Sequence, residues 1–123
     1  MNTAIDQILQ ENSGETLSPK HYSLIPTVKE QCSRFSLVYG DGMMQLEQYS
    51  DLHGCLFAAT GKSILLHITY NPPIICTGEN LLTLEPHIRR GELPLLSVYR
   101  PDFHENRPES HEPVIFAIEA NEV

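Results

Sequence analysis

Over residues 33–39 apolar and polar residues alternate, setting Phe35, Leu37 and Tyr39 on one side of an extended strand and Arg34, Ser36 and Val38 on the other. Asp41-Gly42 follows, a dipeptide suited to a two-residue hairpin turn because both turn positions need positive φ. Pairing across it opposes Tyr39 to Met44, Leu37 to Leu46 and Phe35 to Gln48, which gathers the apolar pairs mostly on one face. A second hairpin is expected around Gly61-Lys62, with Ala59 opposite Ile64, Phe57 opposite Leu66 and Cys55 opposite Ile68. Its other face carries Leu56, Ala58, Leu65 and His67, so both faces are partly apolar and the pair belongs centrally in a sheet or barrel.

Shorter strands are expected at residues 74–77, after Pro72-Pro73, at 95–100, and at 114–120. Residues 3–11 place Ile5, Ile8 and Leu9 at helical spacing, with Asn2 or Thr3 available as a cap. Residues 80–90 also read as helical: Arg89-Arg90 suit the negative end of the helix and Gly91 its stop. Pro86 either opens a helical turn capped by Thr83 or kinks a longer helix. The chain thus reads as a single domain over 1–123, with an N-terminal helix (1–12), a connecting segment (13–32) and a β-rich core (33–120). The fold class is mainly β (α+β): a small antiparallel sheet or curled β-barrel, with one N-terminal helix and one short helix inserted near residues 80–90.

Composition narrows the function classes. With 123 residues, 41 % hydrophobic and 20 % charged, the chain is an ordinary globular one. Sixteen acids against eight bases leave a net charge of -8, which repels nucleic acid, and the only adjacent basic pair is Arg89-Arg90. Three widely spaced cysteines, Cys32, Cys55 and Cys76, form no CxxC pair and no disulfide framework that uses them all. They read as reduced thiols of a cytoplasmic protein. The N-terminus lacks the pattern of a signal peptide, and no apolar run approaches the ~20 residues of a membrane helix. No membrane or nucleic-acid partner is expected.

Candidate chemistry is sparse. Thr60-Gly61-Lys62-Ser63 resembles the end of a phosphate-binding loop, but G-x-x-x-x-G-K-[ST] needs a glycine where Leu56 stands. Gly54, the nearest glycine, is too far upstream, and a hairpin turn explains the segment better. His53 and Cys55, at i and i+2 on a strand, could pair a thiol with an imidazole, although a cysteine beside Phe57 and Ile68 is more often a small buried hydrophobe. With His67 and Tyr70 they make one candidate pocket lining. Asp102, His104, Glu109 and His111 share a loop and could hold a divalent ion, yet their spacing matches no compact ligand motif. A solvated acidic loop is the simpler reading. His87, Arg89 and Arg90, with Arg100 as a further candidate, could bind an anion, but a helix C-terminus disfavours one. No catalytic or cofactor-binding motif is found, and no cofactor is expected.

The function expected from sequence is a small cytoplasmic protein-interaction module without catalytic activity, self-associating or binding a protein partner through a strand edge or the acidic loop. Two alternatives stand beside it. One is a small-ligand-binding protein or enzyme with a pocket inside the curled sheet. The other is an acidic inhibitor that covers a basic protein partner.

Overall fold

The computed structural model describes residues 22–26 and 29–120. The helix expected over residues 1–12 lies outside them, as does part of the connecting segment. The described chain is mainly β, in two sheets. Strands β1 (Arg34–Val38), β2 (Met44–Gln48) and β6 (Leu95–Ser97) form a three-stranded sheet in the order β2-β1-β6. Strands β3 (Leu52–Phe57), β4 (Ser63–Ile68), β5 (Ile74–Glu79) and β7 (Val114–Ala120) form a four-stranded sheet in the order β3-β4-β5-β7. A 3-10 turn (Tyr49–Asp51) joins β2 to β3. A second one (Leu81–Leu84) runs into helix α1 (Glu85–Arg89). The sheets do not close into a barrel: among the described residues, β2 and β3 remain as edges at opposite ends of the strand order.

Pairing is mostly antiparallel. The exception is β1 with β6, which run parallel, with Leu37 opposite Leu96. A single parallel bridge, Val98 to Ile115, stitches the two sheets together, and Tyr99 N donates to Ile115 O at 2.7 Å. Tyr22 completes this seam. Its hydroxyl donates to Ser97 O at 3.1 Å and accepts from Ile115 N at 3.0 Å. A residue of the connecting segment therefore supplies hydrogen bonds where the two sheets lack strand pairing. The core holds Phe35 and Leu37 from one sheet and Ile64, Leu66, Ile74 and Cys76 from the other.

Both expected hairpins form, with other registers. In the first, Leu37 faces Gln45 and Ser36 faces Leu46, a shift of one residue from the two-residue turn. The loop is longer: Tyr39 N donates to Met43 O at 2.8 Å, and Gly42 N to Tyr39 O at 2.9 Å. Gly42 alone of the loop takes positive φ, at 90°, while Asp41 Oδ1 accepts from Met43 N at 2.9 Å. This is a turn followed by a left-handed residue rather than a mirror-image turn. An odd shift exchanges faces, so Met44 and Leu46 leave the side of Leu37 and Phe35.

The second hairpin moves by two, with Phe57 opposite Ile64 and Cys55 opposite Leu66. Ala58 N donates to Ser63 O, so the loop spans Ala59 to Lys62 with Gly61 at φ 74°. An even shift keeps each face intact, and Ile64, Leu66 and Ile68 are buried as the pattern demands. Pro86 sits in the first turn of α1, where its missing N–H costs little, and Thr83 Oγ1 donates to Asn80 O instead of capping the helix.

Candidate functional site

One cleft brings chemistry-bearing residues together, the loop between β6 and β7 separates its own set, and strand β2 exposes apolar surface. The cleft, of about 540 Å³, lies between β3 and the end of α1 and is lined among others by Cys32, Tyr49, His53, Cys55, Arg89 and Arg90. Its floor is held firmly. Tyr49 donates to Leu93 O at 2.6 Å, and Cys32 N donates to Gly91 O at 2.8 Å. The arginines on its wall are partnered: Arg89 Nε lies 3.3 Å from Glu85 and Arg90 Nε 3.2 Å from Glu92. Burial resists ionisation of Glu92, yet hydrogen bonds from His87 and Arg90 outweigh it and hold the carboxyl below its ordinary range. The patch is thus largely self-compensated.

His53 and Cys55 both line this cleft, but a bulge separates their directions. Leu52 pairs with Ile68 and Gly54 with His67, leaving His53 as the extra residue. Leu52 and Cys55, three apart, both pack on the core, while His53 is exposed beside His67 at a ring separation of 6.3 Å. Tyr70, the fourth candidate, is fully exposed at the end of β4 with φ 68°. Burial, reinforced by the Glu85 carboxylate, pushes the Cys55 thiol up to about 12, and burial does the same for Cys76. Cys32 is raised as well, by burial and by Glu30 and Glu92. All three are protonated at neutral pH and are poor nucleophiles. A bulky aromatic disulfide reagent near pH 8 is expected to modify Cys32 first and Cys76 only on unfolding. Prompt labelling of Cys55 in the native state would instead revive the thiol–imidazole pairing.

The loop between β6 and β7 disperses the other candidate set. His104 is buried, its ring stacked on Tyr99 and edge-on to Tyr22. Its Nδ1 lies 2.9 Å from the Arg100 backbone N–H and 3.1 Å from the Arg100 carbonyl oxygen, accepting from the first or donating to the second according to the tautomer. Asp102 pairs with Arg100 at 3.6 Å, and Glu109 with His111 at 3.6 Å, each on the surface. Among the described residues no group of three or more such side chains converges to hold a metal ion.

His104 acts structurally, and it is acid-sensitive. Burial and the Arg100 charge hold its pKa below the ordinary value, against the opposing pull of Asp102 and the Arg100 backbone. Above pH ~6.5, where both folded and unfolded chains keep the imidazole neutral, there is no penalty. As pH falls through that value the unfolded chain takes up the proton first, and stability is lost down to the folded pKa. Urea midpoints measured between neutral and mildly acidic pH are expected to fall for the wild type and to fall less for His104→Gln. Parallel slopes would remove His104 as the cause.

The third place is strand β2. Its core-facing side chains are polar: Gln45 Oε1 accepts from Tyr39 OH at 2.7 Å, and Gln45 Nε2 donates to Glu47 at 2.7 Å. Met44 and Leu46 point the other way and are 51 % and 59 % exposed, next to Met43 at 67 %. This strand is inverted, with amides and acid inward and apolar groups in water. The sequence reading missed it because a two-residue turn sends Met44 and Leu46 to the covered face. Reading Gly40-Asp41-Gly42 as a three-residue loop, with Gly42 left-handed, would have found it.

No family model, curated protein or solved structure matches this chain.

Proposed function

We propose that this chain is a non-catalytic protein-interaction module that binds by adding a strand to the open edge of β2. The observation that carries the reading is the inverted strand: Met44 and Leu46 are exposed on an edge that no strand among the described residues pairs with, while Gln45 and Glu47 face inward. A fold spends stability by exposing such residues, and local conflicts of this kind concentrate at functional surfaces. Strand addition supplies main-chain hydrogen bonds for affinity and side-chain contacts on one face for specificity. β2 carries no lysine, no proline and no bulge, and the inward-facing Glu47 is its one charged guard against added strands. Three free thiols suit a reducing compartment, and we place the module in the cytoplasm.

Leu46→Pro tests the reading with little harm to the fold. The Leu46 N–H points away from β1, so proline removes a donor needed only by an added strand. Partners retained by the immobilised wild type are expected to be lost with Leu46→Pro, and the amides of Met44, Leu46 and Gln48 to gain exchange protection when a partner is bound. Retention unchanged by the substitution would sink the edge as the binding surface.

A further inference from the structure

We infer that the strand added to β2 is β2 of a second copy, antiparallel about a two-fold axis passing beside Leu46. This inference rests on the edge-binding reading above and specifies its partner.

The argument begins with which backbone groups are free. Bonds from Tyr39 N to Met43 O and from Tyr49 N to Ser33 O bracket the β1–β2 ladder. Between them the bonded pairs alternate, so Leu37 with Gln45 and Phe35 with Glu47 exchange hydrogen bonds. The N–H and C=O groups of Met44, Leu46 and Gln48 therefore point outward. One antiparallel self-register uses all three: Leu46 opposite Leu46 of the second copy, and Met44 opposite Gln48 in both directions. It would form about six main-chain hydrogen bonds, because each bonded pair exchanges two.

Charge selects the same register. Centred on Leu46, it sets Glu47 opposite Gln45 of the other copy, and Gln45 already donates to Glu47 within one chain. Sliding the copies one way, to centre on Glu47, brings like charges face to face, which is destabilising. Sliding them the other way, to centre on Gln45, leaves Gln48 unpaired. On the outer face Leu46 meets its own copy, flanked by Met44 and Gln48, so apolar side chains of the two copies pack side by side.

The opposite edge is a poorer template. β3 is bulged at His53, and the end of α1 lies across the cleft from it.

Association is expected to respond to salt in an informative way. Each copy carries a charge of -8, so screening relieves repulsion and added salt should tighten the dimer. Capture of a basic partner by this acidic chain would weaken under those conditions.

Three measurements decide the matter. Light scattering across a dilution series should show a dimer for the wild type, and Leu46→Pro should weaken it by about tenfold or more. Leu46→Cys should form a disulfide between copies under mild oxidation, since directly opposed bonded residues sit about 5.5 Å apart at Cα. Gln45→Cys, opposite residue 47 rather than its own copy, should cross-link far more slowly. If Leu46→Pro fails to fold, the cysteine pair still discriminates. A monomer at every concentration, without the Leu46→Cys cross-link, overturns the second copy. If β2-dependent retention of other proteins persists in that case, the edge-binding reading survives; if it too is absent, both fall. A dimer indifferent to both Leu46 substitutions overturns the inference by placing the contact elsewhere.

Discussion

Gly78→Ala is expected to be the most damaging single substitution in the described chain. A Cβ at that position would strike the Val114 carbonyl oxygen and lie 2.9 Å from its carbon and 3.0 Å from Ile115 Cα. These are backbone atoms of β7, so no side chain can swing aside. The crowding has a local cause: pairing steps from Thr77–Ala117 to Gly78–Ile115, leaving Phe116 as the extra residue of a bulge. The bulge brings β7 close over β5 where only glycine fits. A loss of about 3 kcal/mol or more follows, a large share of the 5–15 kcal/mol that holds an ordinary domain together. Thermal unfolding should show a midpoint lower by roughly 10 °C or more. Gly40→Ala is the control, because its added methyl meets only Val98 Cγ1 at 3.8 Å. Equal midpoints for the two variants would show that β7 shifts freely at its bulge.

Tyr22→Phe is expected to cost about 1–3 kcal/mol while removing a single atom. That oxygen serves both sheets, donating to Ser97 and accepting from the Ile115 N–H. Phenylalanine would fill the same space and leave both backbone groups buried without this partner. Burial already drives the Tyr22 hydroxyl well above the ordinary tyrosine range, so it stays protonated and able to donate at neutral pH. Urea unfolding should report the loss, and amide exchange should quicken at Ile115 more than in β4. A uniform rise in exchange would mean that the hydroxyl supports general stability and not this seam. Tyr22 is also edge-on to Tyr99 and His104, so any disturbance is expected to reach the acid response of His104.

Local pattern carried much of this architecture. Alternation over 33–39 and the apolar run before Gly61 located two hairpins, and β7 occupies the stretch anticipated for it. Registers were legible only as far as loop length was. Gly42 and Gly61 both supply left-handed residues, but in loops longer than two residues. For the second hairpin the error was even and harmless to the faces; for the first it was odd, and it concealed the apolar edge of β2. The parallel pairing of β1 with β6 left no local trace, because both faces of β1 are buried and its burial does not reveal its neighbour. Tyr22 was equally hidden within an apparent surface connection. At the candidate sites, spacing placed His53 and Cys55 on one face, and an unforeseen bulge parted them. His104 read as part of a solvated acidic loop, or as a less favoured metal ligand, whereas its aromatic cage comes from residues as distant as Tyr22.

The seam joining the sheets also sets an order of events while the chain is being made. Tyr22 must wait for Ser97 and Ile115, which lie 75 and 93 positions downstream. At ordinary ribosomal speeds that interval is on the order of 10 s. During it the β1–β2 hairpin and the β3–β4–β5 meander can form, but β1 has no β6 and β5 has no β7. The nascent chain therefore shows two bare flanks, one on either side of the first hairpin, where the finished protein keeps only the outer one. A second ribosome on the same message would hold an identical hairpin nearby. The self-pairing inferred for β2 would in that case begin between nascent neighbours, before either copy has closed its own core.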